Sequence, residues 1–231
     1  MHPVICTIGP FTLYSYGLML AIAFLVASKL ACIEAKNQKI NPDFVFQLLF
    51  IILISGIIGA RILYVVSNLG DYLDDPKEIF MLQHGGLSWF GGLLFAIAAA
   101  AYYLNKRKED KYRVLDLIAP YVALAQAIGR IGCFLNGCCY AKSGQLIPSQ
   151  LVSSFFLLIS FIILRFMQNR PHQPGKIFFG YLTFYSLKRF FVEFLRGDSK
   201  VLLWGLSGFQ FTSILLFLFS LSMLIKIARN K

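Results

Sequence analysis

Seven stretches of this chain, at about residues 12–32, 44–66, 87–104, 115–135, 150–168, 177–195 and 208–226, each approach the roughly 20 apolar residues that a helix needs to cross a bilayer. That repetition constrains the fold more than any other feature. In hydrocarbon every backbone polar group has to be satisfied internally, and stretches of this length do so as helices. With 58% hydrophobic and only 14% charged residues among 231, little is left over to build a water-soluble body. The expected fold is all-α: a polytopic membrane protein of seven transmembrane helices forming one domain over residues 1–231. The third stretch is short and crowded by glycines, and the sixth carries Lys188, Arg189 and Glu193 within it. The first, from about Phe11 to Ala31, has no basic segment before it and no small-residue cleavage site after it, so no cleavable signal peptide is expected.

The formal net charge of +11 lies mostly between the apolar stretches, where it sets membrane orientation; binding to nucleic acid is not expected. Lys36 and Lys39 follow the first stretch, and Lys106, Arg107, Lys108, Lys111 and Arg113 follow the third. Arg170 and Lys176 follow the fifth, and the tail carries Lys226, Arg229 and Lys231. The alternate loops are poor in positive charge. The positive-inside rule therefore predicts an external N-terminus and a cytoplasmic C-terminus, as an odd number of crossings requires. The five cysteines form no CxxC pair and show no Cys/His spacing of a metal site, so no metal ligands are predicted.

On this topology the arginines inside the apolar stretches fall at one depth. Arg61 lies near the outer end of the second stretch, and Arg130 about a turn and a half from the outer end of the fourth. Arg189 lies in the outer half of the sixth, with Arg196 at its mouth. An arginine at mid-helix costs on the order of 2.5–3.5 kcal/mol on insertion scales, which a bound anion or a partner offsets. Glu193 is the only acid among them, four residues beyond Arg189 on the same helix face. A net positive cavity results. Guanidinium groups bind phosphate through paired, charge-assisted hydrogen bonds, and a phospholipid headgroup sits at this depth. The competing account has each arginine snorkel to the headgroups or pair within the bundle, and Arg165, near the cytoplasmic end of the fifth stretch, is expected to snorkel.

Four segments, in order, carry a resemblance. Gly129-Arg130-Ile131-Gly132-x-Phe134-Leu135-Asn136-Gly137 resembles the signature of bacterial prolipoprotein diacylglyceryl transferases. Ser15-Tyr16-Gly17-Leu18-Met19 is similar to that family's first-span segment, and His84-Gly85-Gly86-Leu87-Ser88-Trp89-Phe90-Gly91-Gly92 to its double-glycine segment. Arg189-Phe190-Phe191-Val192-Glu193-Phe194-Leu195-Arg196 matches its late Arg-x-x-x-Glu-x-x-Arg segment, and Pro148-Ser149-Gln150-Leu151 also fits. The resemblance implies transfer of the diacylglyceryl group of phosphatidylglycerol to the lipobox cysteine thiol of a preprolipoprotein. Glycerol 1-phosphate would be released, in the bacterial cytoplasmic (inner) membrane, without a cofactor. It implies that Arg130 contacts phosphatidylglycerol, that Arg189 binds phosphate, and that Glu193 orients Arg189 or relays a proton. It further implies that Tyr16 bonds the headgroup and that Asn136 holds the loop after the fourth span. Gly85, Gly91, Arg61 and Arg196 complete the expected substrate-binding set.

The chain also departs from that pattern. Phe90 stands where better-studied members carry a histidine suited to activating the thiol, leaving His84 as the candidate base. Cys133 and Cys138 replace an asparagine and a glutamate of the signature, Ala141 replaces a glycine, and Ile147 a histidine. The polar insertion between the fourth and fifth spans is nearly absent. Cys133, Cys138 and Cys139 cluster at the outer end of the fourth span as packing residues, a disulfide source, or a reactive thiol at Cys138. Three alternatives therefore stay open: a family paralogue with another acceptor, a membrane thiol-disulfide oxidoreductase, and a non-enzymatic anion or lipid carrier.

Overall fold

One helix of this protein buries most of its polar residues and exposes most of its large apolar ones, the reverse of a helix in a water-soluble bundle. On the sixth helix in chain order Ser149, Gln150, Ser153, Ser154, Ser160 and Gln168 are buried, whereas Phe155, Ile162 and Phe166 are exposed. Helices packed in lipid show this pattern, because small and polar side chains join them and apolar ones face the tails. The computed structural model describes residues 3–8, 11–73, 75–81, 85–107, 109–138, 147–197, 201–203 and 205–229. Among these are eight α-helices: α1 (Ser15–Asn37), α2 (Pro42–Ser67), α3 (Leu69–Leu73), α4 (Trp89–Arg107), α5 (Lys111–Asn136), α6 (Ser149–Gln168), α7 (Lys176–Leu195) and α8 (Gly208–Arg229). A 3-10 helix spans Pro76–Phe80. Five helices, α1, α2, α5, α6 and α8, are long and apolar enough to cross a membrane. The other two long helices, α4 and α7, have 19 and 20 residues. The chain is a multi-pass membrane protein.

Two short hairpins accompany the helices. The antiparallel pair β1 (Val4–Ile8) and β2 (Phe11–Tyr14) precedes α1, so residues 12–14, expected as the start of the first span, are strand. The pair β3 (Val201–Leu203) and β4 (Leu206–Ser207) leads into α8.

The chain divides into two units, residues 1–34 with 112–231, and residues 35–111. In the second, α2 and α4 cross on bare backbone. A Cβ added to Gly59 would lie 2.7 Å from the Gly91 carbonyl, and one added to Gly91 would lie 2.6 Å from Leu63 Cβ. Gly91, expected among the substrate-binding residues, is buried in this crossing.

In the first unit the core is made by Ala119, Ala123, Leu164, Ile177 and Tyr181. Pro120 lies inside α5 and supplies no N–H to the Asp116 carbonyl one turn earlier. Gln168 of α6 fills that role, donating to the Asp116 and Leu117 carbonyls at 3.1 Å each. The Asp116 carboxylate in turn accepts from the Gly175 and Phe178 N–H groups, both at 2.7 Å, and so caps the start of α7. Arg165, expected to snorkel, does otherwise: it pairs with Glu34 of α1 at 2.7 Å and donates to Gln168. A carboxylate within reach holds the guanidinium inside the bundle more strongly than the headgroup layer draws it out.

Candidate functional site

The fourth-span motif ends in a helix stop that builds one wall of a site. Gly137 adopts φ +79°, open to glycine without strain. Its N–H donates to the Phe134 carbonyl at 3.2 Å, and the Cys138 N–H reaches back to the Cys133 carbonyl at 3.2 Å. These two bonds form a Schellman motif with Asn136 as the last helical residue. Upstream, Gly132 lets α1 approach: a Cβ there would lie 2.9 Å from Met19 Cβ and 3.4 Å from the Tyr16 ring. Tyr16 thus stands against the Gly132 face of α5, about 200° around the helix from Arg130, and is itself exposed.

The stop leaves the Cys138 carbonyl facing α6, where Gln150 Nε2 donates to it at 2.7 Å. Ser154, one turn on, donates to the Ala127 carbonyl at 2.8 Å and locks α6 to α5. Between α5, α6 and α7 lies a hollow lined by Arg130, Ser149, Gln150, Ser153, Lys188, Arg189, Val192 and Arg196. Its volume is about 10 Å³, room for about one water or one hydroxyl group.

Arg189 is held from two sides. The Glu193 carboxylate lies 3.1 Å from its guanidinium, and the Phe209 ring sits under it at 4.4 Å. Glu193, with a side chain 1% exposed, is anchored by the start of α8. Ser207 Oγ donates to Glu193 Oε1 at 2.9 Å. Ser207 and Gln210 form a capping box: the Ser207 N–H bonds Gln210 Oε1 at 2.8 Å, and the Gln210 N–H bonds Ser207 Oγ at 3.4 Å. The local sequence that starts α8 therefore sets the position of an arginine on α7.

Arg130, Arg189 and Arg196, expected to share a cavity, do line one hollow. Lys188 joins them, a residue that sequence reading placed in the span but gave no role. It is 6% exposed, lies 3.5 Å from Ser153 Oγ, and rests over the Tyr185 ring at 4.5 Å. The adjacent Lys188-Arg189 pair inside an apolar span was the signal for it. Four basic side chains thus line the hollow with no carboxylate among its described lining residues, and Glu193 acts on it through Arg189. No carboxylate among the described residues lies within ion-pair distance of Arg130.

Arg61 is placed differently. It is buried, and its guanidinium donates to the backbone carbonyls of Glu78, Ile79 at 2.9 Å, Met81 at 3.4 Å, Gly85 at 2.5 Å and Gly86 at 3.0 Å. A guanidinium has five N–H donors, and five bonds are made. Arg61 therefore organises the loop before α4 and has no donor left for a substrate phosphate, contrary to expectation. Gly85 and Gly86 supply two of those carbonyls from left-handed conformations, φ +84° and +77°. His84 and Cys139 lie outside the described residues. The Cys138 sulfur lies 3.7 Å from the Cys133 carbonyl.

Comparison with known proteins matches nearly the whole chain. A family model described as prolipoprotein diacylglyceryl transferase matches residues 3–226. The chain is 32% identical over 232 residues to the phosphatidylglycerol–prolipoprotein diacylglyceryl transferase of Clostridium tetani, covering 93% of each protein. It is 33% identical over 232 residues to transferase 2 of Clostridium perfringens, covering 93% of this chain and 91% of that one. It is 34% identical over 223 residues to the Clostridium kluyveri transferase, covering 87% and 88%.

Proposed function

The chain belongs to the prolipoprotein diacylglyceryl transferase family, and from that premise we propose that it moves the diacylglyceryl group of phosphatidylglycerol onto the lipobox cysteine thiol of a preprolipoprotein. The whole chain, 1–231, acts as one transferase domain in the bacterial cytoplasmic membrane. Seven helices, α1, α2 and α4 to α8, cross it with the N-terminus outside, as the Lys/Arg bias of the loops supports.

One observation carries the reading: Arg130, Lys188, Arg189 and Arg196 converge on a single hollow with one carboxylate to offset them. In the reaction the cysteine thiol gives its proton to a base, for which His84 is the candidate, and the thiolate sulfur attacks the diacylglycerol carbon that bears the phosphate. The S–C bond forms, the C–O bond breaks, and the electron pair leaves with the phosphate oxygen. A phosphodiester with one negative charge becomes a monoester with two. Cations placed where that charge grows stabilise the transition state more than the bound lipid, which is the condition for catalysis. Arg130 and Arg189 hold the phosphate at the mouth of the hollow, with Arg196 beside them. Glu193 positions Arg189, and Lys188 adds charge from below. Tyr16, exposed on the Gly132 side of α5 and outside the hollow, bonds the headgroup from there, and Asn136 holds the helix end from which the motif turns. Seating a lipid and a peptide side by side supplies the proximity contribution.

The test is direct. Purified protein is incubated with phosphatidylglycerol and a lipobox peptide, and the peptide is weighed. The expected result is a gain of one diacylglyceryl group with equimolar glycerol phosphate. Arg130→Ala should abolish the gain in a folded protein, and Arg130→Lys should fail too, since a point charge does not replace a planar fork. Folded wild-type protein that leaves the peptide mass unchanged would overturn the proposal.

A further inference from the structure

Among the residues lining the hollow, Gln150 has an unanswered hydrogen-bonding atom. It is 2% exposed, and its orientation is set, because Nε2 is committed to the Cys138 carbonyl at 2.7 Å. Its other end, Oε1, is buried and has no hydrogen-bond partner among the described residues. A buried acceptor left unmet carries a full desolvation penalty and calls for a donor, which a bound ligand can bring. The surrounding cations lie in the same hollow, yet none of them donates to it.

The chemistry of the proposed lipid narrows what that donor is. Phosphate and ester oxygens only accept, so they satisfy Arg130, Arg189, Arg196 and Lys188 and offer nothing to Gln150. The only donors on phosphatidylglycerol are the two hydroxyl groups of its head glycerol. Burial orders the lining in the same sense: Ser149, Gln150 and Ser153 are each 2% exposed, while Arg130 is only partly buried. The hollow's volume of about 10 Å³ matches a single hydroxyl. From this we infer that Gln150 Oε1 accepts a hydrogen bond from a head-glycerol hydroxyl, and that Gln150 selects lipids whose phosphate carries a hydroxylated head alcohol. The inference rests on the transferase reading and deepens it, by assigning recognition of the head alcohol to one residue.

The experiment compares two donors on one enzyme preparation: phosphatidylglycerol and phosphatidylpropanol, which keeps the phosphate and three-carbon head but has no hydroxyl. A site that hydrogen-bonds a substrate hydroxyl rejects the analogue lacking it, here by at least about tenfold. Wild-type protein should show that preference. Gln150→Met, close in volume and without the acceptor, should bring the ratio of the two rates to within about threefold of one, by loss of turnover on phosphatidylglycerol. A ratio taken on one preparation does not depend on how much of the variant is folded, and Gln150→Leu serves as a second apolar variant. Equal use of both lipids by wild type, or an unchanged preference in either variant, overturns the inference alone. So does loss of both activities in folded variants, which would give Gln150 a part in holding the phosphate. Wild-type protein that uses neither lipid removes the transferase reading itself, and this inference with it.

Discussion

Glu193→Gln isolates the charge that positions Arg189. The substitution keeps the length and shape of the side chain and an oxygen to accept from Ser207, and it removes the negative charge 3.1 Å from the guanidinium. Two charges about 4 Å apart at an effective dielectric of about 20 attract by about 4 kcal/mol. Breaking buried pairs costs about 3–5 kcal/mol, which agrees. The glutamine dipole recovers about 1 kcal/mol of this through a neutral hydrogen bond, leaving about 2–4 kcal/mol. The Phe209 ring remains under Arg189 and keeps it near the hollow, so the loss falls on orientation. If that energy is what holds Arg189 in line with the departing phosphate, transfer slows roughly 30- to 1,000-fold. Ser207→Ala supplies the comparison. Ser207 is not among the residues lining the hollow, yet its removal takes from Glu193 one hydrogen bond to a charged acceptor, about 1.5–3 kcal/mol, and transfer should fall roughly 10- to 100-fold. The assay is the initial rate of phosphatidylglycerol-dependent peptide modification in micelles, divided by the folded fraction from a melting curve. A Glu193→Gln protein that folds and turns over within about threefold of wild type would refute the argument that Glu193 acts by placing Arg189.

Two further outcomes follow from the polar links that shape the units. Arg61→Ala strips five backbone carbonyls between Glu78 and Gly86 of their donor, and should destabilise by about 3–5 kcal/mol while exposing that loop to protease; wild-type melting and unchanged cleavage would show the loop to be held some other way. Asp116→Asn leaves one of the two N–H groups at the start of α7 facing an amide NH₂, and should cost about 1–3 kcal/mol in denaturation of the micellar protein. An unchanged midpoint would mean that the cap is not needed.

What could be read in the sequence was what hydrocarbon makes expensive. Seven long helices were legible as runs of about twenty mostly apolar residues, and each appears within about five residues of its expected bounds; five of them are long and apolar enough to cross a membrane. Arg189 and Glu193 were legible as a pair because four residues place them on one helix face. The β1–β2 hairpin was not, because its apolar residues run into the first span without a change of composition. The Ser207-x-x-Gln210 capping box was readable as a local pattern; its link to Glu193 was not. Arg61 marks the limit of reasoning by depth. Arginines at one level were expected to share a task, but the carbonyls that bind Arg61 come from residues 17 to 25 positions away, in a loop with no pattern to announce it. Arg165 finds Glu34 at a separation of 131 residues, beyond any periodicity. Gln150 is the sharpest case. A neutral amide in an apolar span stands out little, and its meaning arises only when a Schellman stop on α5 presents the Cys138 carbonyl to one end of it and no described residue meets the other. A charge in the membrane is visible because its free-energy cost demands an explanation; a neutral polar atom, equally buried, becomes visible only once each of its possible partners has been accounted for. In a site whose cations hold the phosphate, it is such neutral atoms that can distinguish one headgroup from another.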